Sequence, residues 1–229
     1  MIADELPLSG GRITPGVVRA GDTVRRPARA NSPFVRDLLS HLEVVGFEGA
    51  PRYLGVDDRG REMFSYLVGE VPAELDPELS DSTLIEAARL IRRFHDATAG
   101  STPAGEHEAV CHNDLSPCNF VFHDDRPDGI IDFDAASPGS RLQDVGYAIF
   151  LWLNLGTDGR SPNEQARRIS LFCKAYGLDP GSQIVAATIH AVANNIDRLK
   201  REDREGDADW WSTQLDWLRR HKPQLDPMP

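Results

Sequence analysis

Apolar positions follow two different periods along this chain, and the change of period divides it. In the first third the pattern is strand-like. Thr14-Pro-Gly-Val-Val-Arg-Ala20 and Thr23-Val-Arg-Arg-Pro27 flank a Gly21-Asp22 turn, which predicts a hairpin. Arg52-Tyr-Leu-Gly-Val56 and Glu62-Met-Phe-Ser-Tyr-Leu-Val68 flank Asp57-Asp-Arg-Gly60 and predict a second one. Between the hairpins, Phe34, Leu38, Leu39, Leu42 and Val45 recur at helical spacing. A small antiparallel sheet with one helix is therefore expected over residues 1–68. Gly69-Glu-Val-Pro-Ala-Glu-Leu-Asp-Pro77 is rich in turn formers, and residues 69–79 are expected to be a linker.

Residues 80–229 change to a mainly helical pattern. Thr83-x-x-Glu86 is a capping box opening a helix that stops before Gly100. Arg141 to Leu155 is strongly apolar and predicts a buried helix. Ser161-Pro-Asn-Glu164 is a second capping box with Pro162 at the first helical position, and that helix ends near Gly177. Asp179-Pro180 opens a long helix reaching about Glu205, and a last one runs from Trp210 to His221. The fold class is α+β, in two lobes.

The helical pattern is interrupted between Val110 and Asp134, and the candidate chemistry is there. Phe120-Val-Phe122 and Gly129-Ile-Ile131 predict two strands joined by a polar turn over His123–Asp128. Just before the first lies His112-x-Asp114-x-x-x-x-Asn119. Just after the second lies Asp132-Phe-Asp134. A hairpin would bring Asn119 and Asp132 together at its open end. Phosphoryl transfer needs one carboxylate near the acceptor hydroxyl, with an amide and a second carboxylate holding magnesium on nucleotide phosphates. Asp114 is then the candidate base, and Asn119 and Asp132 are the candidate magnesium ligands. Taken alone, HxDxxxxN is a weak signal, because Asp and Asn before a strand are common turn formers. The second acid at the end of the hairpin partner, in an apolar setting, raises it.

Composition narrows the partners. The chain has 229 residues, 40% of them hydrophobic, with a formal net charge of -11 and a pI near 5.0. An acidic surface disfavours nucleic acid and attracts cations, including cationic small molecules, although it also serves plain solubility. No apolar run is long enough to span a membrane, and Met1-Ile-Ala-Asp-Glu5 has no signal-peptide pattern. Cys111, Cys118 and Cys173 form neither a disulfide framework nor a zinc pattern. A cytoplasmic location is expected.

His112-Asn-Asp114-Leu-Ser-Pro-Cys-Asn119, Ile131-Asp132-Phe-Asp134, Asp144-Val-Gly-Tyr-Ala148 and Leu90-Ile-Arg-Arg-Phe-His95-Asp resemble the aminoglycoside phosphotransferase and choline kinase-like family. The resemblance covers most of the chain and is specific between His112 and Ala148. It implies a protein-kinase-like two-lobed fold, ATP or another nucleoside triphosphate and magnesium as cofactors, and a small hydroxyl-bearing acceptor. Two features point away from a protein kinase. Ser116 stands where such enzymes carry a basic residue, and the short loop Ala135–Ser140 replaces a long activation segment.

The resemblance also implies supporting roles. His112 braces the loop. Asp144 is placed to accept backbone N–H bonds from it. Ser65-Tyr66-Leu67 falls where adenine runs along a backbone edge, which makes Ser65 and Leu67 nucleotide-binding candidates. His95 lies on an apolar helix face and is expected to be packed. Trp210, Trp211 and Trp217 are expected in the core, or with one flanking an acceptor pocket. The nucleotide side departs from the family. The strand position of the phosphate-binding lysine holds Arg25, with Arg26 beside it. Asp37 and Glu43 are poor matches for the usual helix glutamate. Gly10-Gly11 is either a simple turn or the remnant of a phosphate-covering loop.

The leading expectation is an ATP-dependent phosphotransferase acting on a small cationic molecule, aminoglycoside-like. The Glu202–Asp209 acidic run supplies candidate carboxylates for that acceptor. An amino-alcohol or sugar kinase is the alternative within the class. A nucleotide-binding protein with little transfer activity is the alternative outside it.

Overall fold

The computed structural model describes residues 5–8, 16–74, 79–157, 159–179 and 183–226. Gly10-Gly11, the Thr14-Pro15 start of the first expected strand, part of the expected linker and Pro180 lie outside the described residues.

Five strands form an antiparallel sheet: β1 (Glu5–Pro7), β2 (Val18–Ala20), β3 (Thr23–Pro27), β4 (Tyr53–Val56) and β5 (Arg61–Ser65). Their order is β1-β2-β3-β5-β4, so β3 and β5 are neighbours although 33 residues lie between Pro27 and Arg61. Gly21 at φ 61° makes the β2–β3 turn that the Gly-Asp pair predicts. Helix α1 (Ser32–Val44) is inserted between β3 and β4. It begins earlier than Phe34, because Pro33 suits the first helical turn. Its Val35, Leu38, Leu39 and Leu42 are buried, each contributing about 1.5–3 kcal/mol.

Helix α2 (Asp81–Thr98) is capped by Ser80 and not by Thr83. Ser80 has extended backbone, and its hydroxyl accepts the Thr83 N–H at 3.1 Å. Thr83 is already inside the helix, where it is buried and donates to the Asp125 carbonyl at 3.2 Å.

Strand β6 (Ala109–Cys111) pairs with β9 (Ser137–Gly139), and β7 (Phe120–His123) pairs with β8 (Arg126–Ile130). The β7–β8 turn is tighter than the six residues expected. Asp124 and Asp125 alone close it, at φ 47° and 61°. Two consecutive positive φ values are what a two-residue hairpin turn requires, and Asp tolerates them. Arg126 to Asp128 consequently join the strand.

Four helices complete the chain: α3 (Arg141–Trp152), α4 (Pro162–Tyr176), α5 (Ile184–Arg201) and α6 (Glu205–Leu225). Ser161 caps α4 through the Glu164 N–H, and Gly177 ends it at φ 90°. Helix α5 starts at Ile184, later than Asp179-Pro180 suggests. Helix α6 is longer at both ends than its tryptophans suggest, with Glu205 and Asp207 in its first turn complementing the dipole. Trp211 and Trp217 pack partly buried against the core, whereas Trp210 is 45% exposed.

Trp152 ties the helices to the site. It is buried, meets Phe120 edge-on at 4.8 Å, and donates its indole N–H to the Leu115 carbonyl at 2.9 Å. Gly146 permits the close approach of α3 to α5. A Cβ there would lie 2.8 Å from the Thr188 nitrogen and 2.9 Å from the Ala187 carbonyl carbon. Both are backbone atoms and cannot rotate away. Gly146→Ala is expected to cost about 1–3 kcal/mol, read as a lower urea midpoint. An unchanged midpoint would show that the two helices separate freely.

Candidate active site

The site is built on the loop leaving β6. Asn113 adopts φ 62°, which Asn tolerates better than most residues, and this turns the chain sharply after His112. Two backbone N–H groups of the turn are held from below by the fully buried carboxylate of Asp144. His112 N donates to Oδ2 at 2.8 Å and Asn113 N donates to Oδ1 at 2.9 Å. Burial alone would raise the Asp144 carboxyl. The hydrogen bond and charge of His95, then His112, outweigh it and hold the group below its usual range.

His95 is buried and does more than pack. Its Nε2 lies 3.0 Å from Asp144 Oδ2 and its Nδ1 lies 2.7 Å from the Tyr176 hydroxyl. Asp144 can only accept, so Nε2 carries the proton. Burial pushes the Tyr176 hydroxyl up to about 12, so it stays protonated and can donate to Nδ1. A line of hydrogen bonds therefore runs from α4 through α2 and α3 to the loop. Sequence reasoning left out this bridge. Its signal was the polar His95 on an otherwise apolar helix face.

The loop is also joined to β8. His112 Nε2 lies 2.9 Å from the Ile131 carbonyl, and its ring packs on Phe133 at 4.8 Å. Asn113 Nδ2 donates to the Ala135 carbonyl at 2.8 Å. Ile131 N donates to the Asn119 carbonyl at 2.9 Å, extending the β7–β8 pairing past Phe120↔Ile130. Asn119 and Asp132 are thereby brought together at the open end of the hairpin.

Asn119 orients Asp114. Its Nδ2 donates to the Asp114 carbonyl at 2.8 Å and to Asp114 Oδ2 at 2.9 Å. Asp114 Oδ1 and the amide oxygen of Asn119 take no part in those bonds. Asp132 stands in left-handed backbone at φ 63°, opening the short turn Phe133–Ala135. Its carboxyl is pushed up, first by burial and then by Asp134, against the charges of His112 and Arg26. Among the described residues no three His, Cys, Asp or Glu side chains form an all-protein metal cage. The oxygens that could hold a cation are instead one amide oxygen, of Asn119, and one carboxylate, of Asp132, from facing elements. Two hard oxygens suit magnesium, which completes its shell with phosphates and water. A cation would also relieve the charge crowding around Asp132.

Asn119 and Asp132 line the polar end of a cavity of about 360 Å³ between the five-stranded sheet and the hairpin. Val17 and Val24 wall it on one side, and Val121 and Ile131 on the other. Ser65 and Leu67 run along its edge. A second cavity of about 500 Å³ lies behind the hairpin, lined by Phe47, Arg93 and His123, and Leu67 lines both.

Arg25 does not line this cavity, which corrects the expectation. Side chains alternate along a strand, so Arg25 and Arg26 point to opposite faces. Arg25 lies 3.7 Å from Asp57, whereas Arg26 lines the cavity. The Arg26 guanidinium is 2.5 Å from Asp134, 3.8 Å from Asp132 and 3.7 Å from Glu62.

The acidic run Glu202–Asp209, which leads into the first turns of α6, is less available than expected. Glu202 lies 3.7 Å from Arg198 and 3.8 Å from Arg204, and Asp207 lies 2.7 Å from Arg204. Tyr147 was missed. Its hydroxyl is pushed far up, by burial and then by the charge of Asp114, and its ring stacks on Trp211 at 5.9 Å with 4° between planes. Its place one helical turn after Asp144 was the available signal. The Cys111 thiol is pushed far up by burial and by Asp144, so it is no nucleophile.

Residues 51–182 match the model of the phosphotransferase enzyme family. The chain is 29% identical to the trifolitoxin immunity protein of Rhizobium leguminosarum bv. trifolii, over 97% of this chain and 98% of that protein. Among solved structures it is similar to a thermostable mutant of aminoglycoside phosphotransferase APH(4)-Ia in ternary complex with AMP-PNP and hygromycin B. The TM-score is 0.64 and the identity 15%, over 97% of this chain and 95% of that one. It is also similar to APH(2")-IIa in complex with gentamicin, with a TM-score of 0.61 and 14% identity, over 99% of this chain and 94% of that one. At these identities the structural likeness shows the fold, which is protein-kinase-like.

Proposed function

The chain belongs to the phosphotransferase enzyme family, and we propose that it is an ATP-dependent kinase transferring phosphate to a hydroxyl of a small cationic molecule. One observation carries this reading. A single amide, Asn119, is bonded to Asp114 and joined through its backbone to the strand end that presents Asp132, on the rim of one cavity. Base, metal ligands and nucleotide space converge there.

In this reading residues 1–68 cover the nucleotide, 69–79 link, and 80–229 carry the catalytic loop. Val24 and Ile131 would flank the adenine, with the Ser65–Leu67 backbone along its edge. Asn119 and Asp132 would hold magnesium, which would neutralise phosphate charge when bound. The acceptor hydroxyl sits against Asp114, which takes its proton as oxygen bonds to the γ-phosphorus and ADP leaves. Asn119 fixes the carboxylate in that orientation, and Asp144 holds the backbone that carries it. Tyr147 and Trp211 wall the acceptor side. A phosphate-transfer assay with Mg-ATP and a panel of amino-substituted and neutral hydroxyl compounds tests the reading. Absence of transfer to every member, with ATP hydrolysis no faster than in buffer, would refute it.

Asp132→Ala is expected to weaken Mg-ATP binding by roughly tenfold, and Asn119→Ala by less, since only Asp132 brings charge to the metal. Titration calorimetry with and without magnesium checks this. Equal affinity of both variants with the unsubstituted enzyme would remove the metal assignment.

The cationic acceptor is supported by the net charge of -11. It is supported also by the gentamicin and hygromycin B bound to the similar structures. Its affinity should fall clearly between ~0.01 and ~0.1 M salt, as the Debye length shortens from ~30 to ~10 Å. A salt-independent acceptor affinity would leave a neutral acceptor.

A further inference from the structure

We propose that the second cavity, behind the hairpin, is a separate site for a small zwitterion with an apolar side chain, of the α-amino acid class, and that its occupant is coupled to the nucleotide cavity through the linker. The binding half stands by itself, and the coupling half rests on the nucleotide reading above. At about 500 Å³ the cavity is in the range of small-ligand sites. Its walls are largely apolar. Phe47 and Val121 are buried, and Leu67 lies against Gly129, where a Cβ would come within 3.0 Å of Leu67 Cδ1 and 3.2 Å of Val121 Cβ. Val68 also lines the cavity and is 68% exposed, so an apolar ligand group would meet a wall that the protein leaves uncovered.

Two opposite charges line this cavity without meeting. Arg93 on α2 and Glu48 between α1 and β4 form no hydrogen bond or ion pair with each other or with any other described residue. The neighbouring Arg92, by contrast, is bonded to Asp96 at 2.7 Å and to the Tyr176 carbonyl at 3.2 Å. The remaining charged groups of the cavity, His123 and Asp128, satisfy each other at 2.8 Å. A plain anion would match Arg93 but face the Glu48 carboxylate, and a plain cation would face Arg93. A zwitterion matches both, with its carboxylate on the guanidinium and its ammonium on Glu48.

One short stretch of chain separates the two cavities. Leu67 and Val121 line both. Beyond them Glu70 N donates to the Phe122 carbonyl at 2.9 Å, and Phe122 N donates to the Glu70 carbonyl at 2.7 Å. Gly69 passes so close to β7 that a Cβ would lie 2.4 Å from Val121 Cγ1. The partition is thus fastened to β7 at its far end. An occupant packed on Leu67 from behind steadies the wall that adenine would meet in front. Zwitterion and ATP should then tighten each other's binding by the same factor.

Titration calorimetry of the full chain tests this with L-phenylalanine, with 3-phenylpropanoate, which lacks the ammonium, and with phenethylamine, which lacks the carboxylate. Phenylalanine should bind about fivefold more tightly than either. Arg93→Gln should weaken phenylalanine and 3-phenylpropanoate about fivefold and leave phenethylamine unchanged. Glu48→Gln should weaken phenylalanine and phenethylamine and leave 3-phenylpropanoate unchanged. Both side chains are exposed, so neither substitution disturbs the core. No binding of phenylalanine up to ~10 mM overturns the proposal, as does binding that neither substitution alters. Equal affinity for phenylalanine and 3-phenylpropanoate, with no effect of Glu48→Gln, overturns the zwitterion in favour of a plain anion. ATP affinity should rise about twofold or more in saturating phenylalanine, and an unchanged value overturns the coupling half. A chain that binds phenylalanine but not ATP refutes the nucleotide reading and the coupling with it, while the second site stands.

Discussion

Asp114→Asn is expected to lower turnover by on the order of 10²-fold or more while nucleotide binding survives. The substitution keeps the size and shape of the side chain. Its amide oxygen can still accept from Asn119 Nδ2, as Asp114 Oδ2 does at 2.9 Å, so the loop has no cause to move. What changes is the other oxygen, replaced by an NH₂ group that cannot take a proton. The acceptor hydroxyl then has no base within reach as its bond to phosphorus forms. Binding and positioning remain, which is why some transfer should persist. Single-turnover phosphate transfer and an ATP titration, run on the same preparation, separate the two effects. Transfer at the unsubstituted rate would show that Asp114 is not the base. Loss of ATP binding together with transfer would point to a collapsed loop instead.

The parts of this site that could be read from sequence are those whose spacing is local. His112, Asp114 and Asn119 share one loop, and Asp132 follows at the end of a hairpin whose apolar strands are visible. The β7–β8 register then brings Asn119 to Asp132. The Arg25 expectation failed for the opposite reason. Strand side chains alternate with period two, so an error of one residue moves a group to the other face. Nothing in Thr23-Val-Arg-Arg-Pro27 says which arginine faces inward until β3 is paired with β5.

Glu62 and His95 were out of reach because their partners are distant in sequence. Arg26 and Glu62 meet only through the β1-β2-β3-β5-β4 strand order, and His95 meets Asp144 only when α2 packs beneath the loop. The β6–β9 pair was missed because each strand has three residues, too few for a period to register. Helix caps show the same limit on a smaller scale. Ser80 and Thr83 are both sound capping residues, and the backbone conformation at Ser80 chooses between them.

The largest loss of stability is expected from Asp144→Ala, about 3–5 kcal/mol at neutral pH. Asp144 is buried, and it accepts from His112 N, Asn113 N and His95 Nε2. Removing it leaves three buried donors without their acceptor, and each unsatisfied donor is costly. The damage should be focused on the catalytic loop, so transfer should be lost before the fold is. The pH dependence gives a second, independent reading. The folded carboxyl titrates below its ordinary value of 3.8. Its contribution is therefore fully present above that pH, shrinks as the pH falls below it, and is gone once the folded group is protonated. The stability gap between the unsubstituted protein and Asp144→Ala should accordingly be widest near neutrality and narrow on the acid side. The exposed ion pairs of Asp81, Asp96 and Glu164 also weaken in acid, but they are common to both proteins and cancel in the difference. Urea titrations of both proteins from neutrality down through the carboxylate range check the sign. A gap that stays constant through that range would mean that the Asp144 charge does not hold the loop, and that the side chain acts by volume alone.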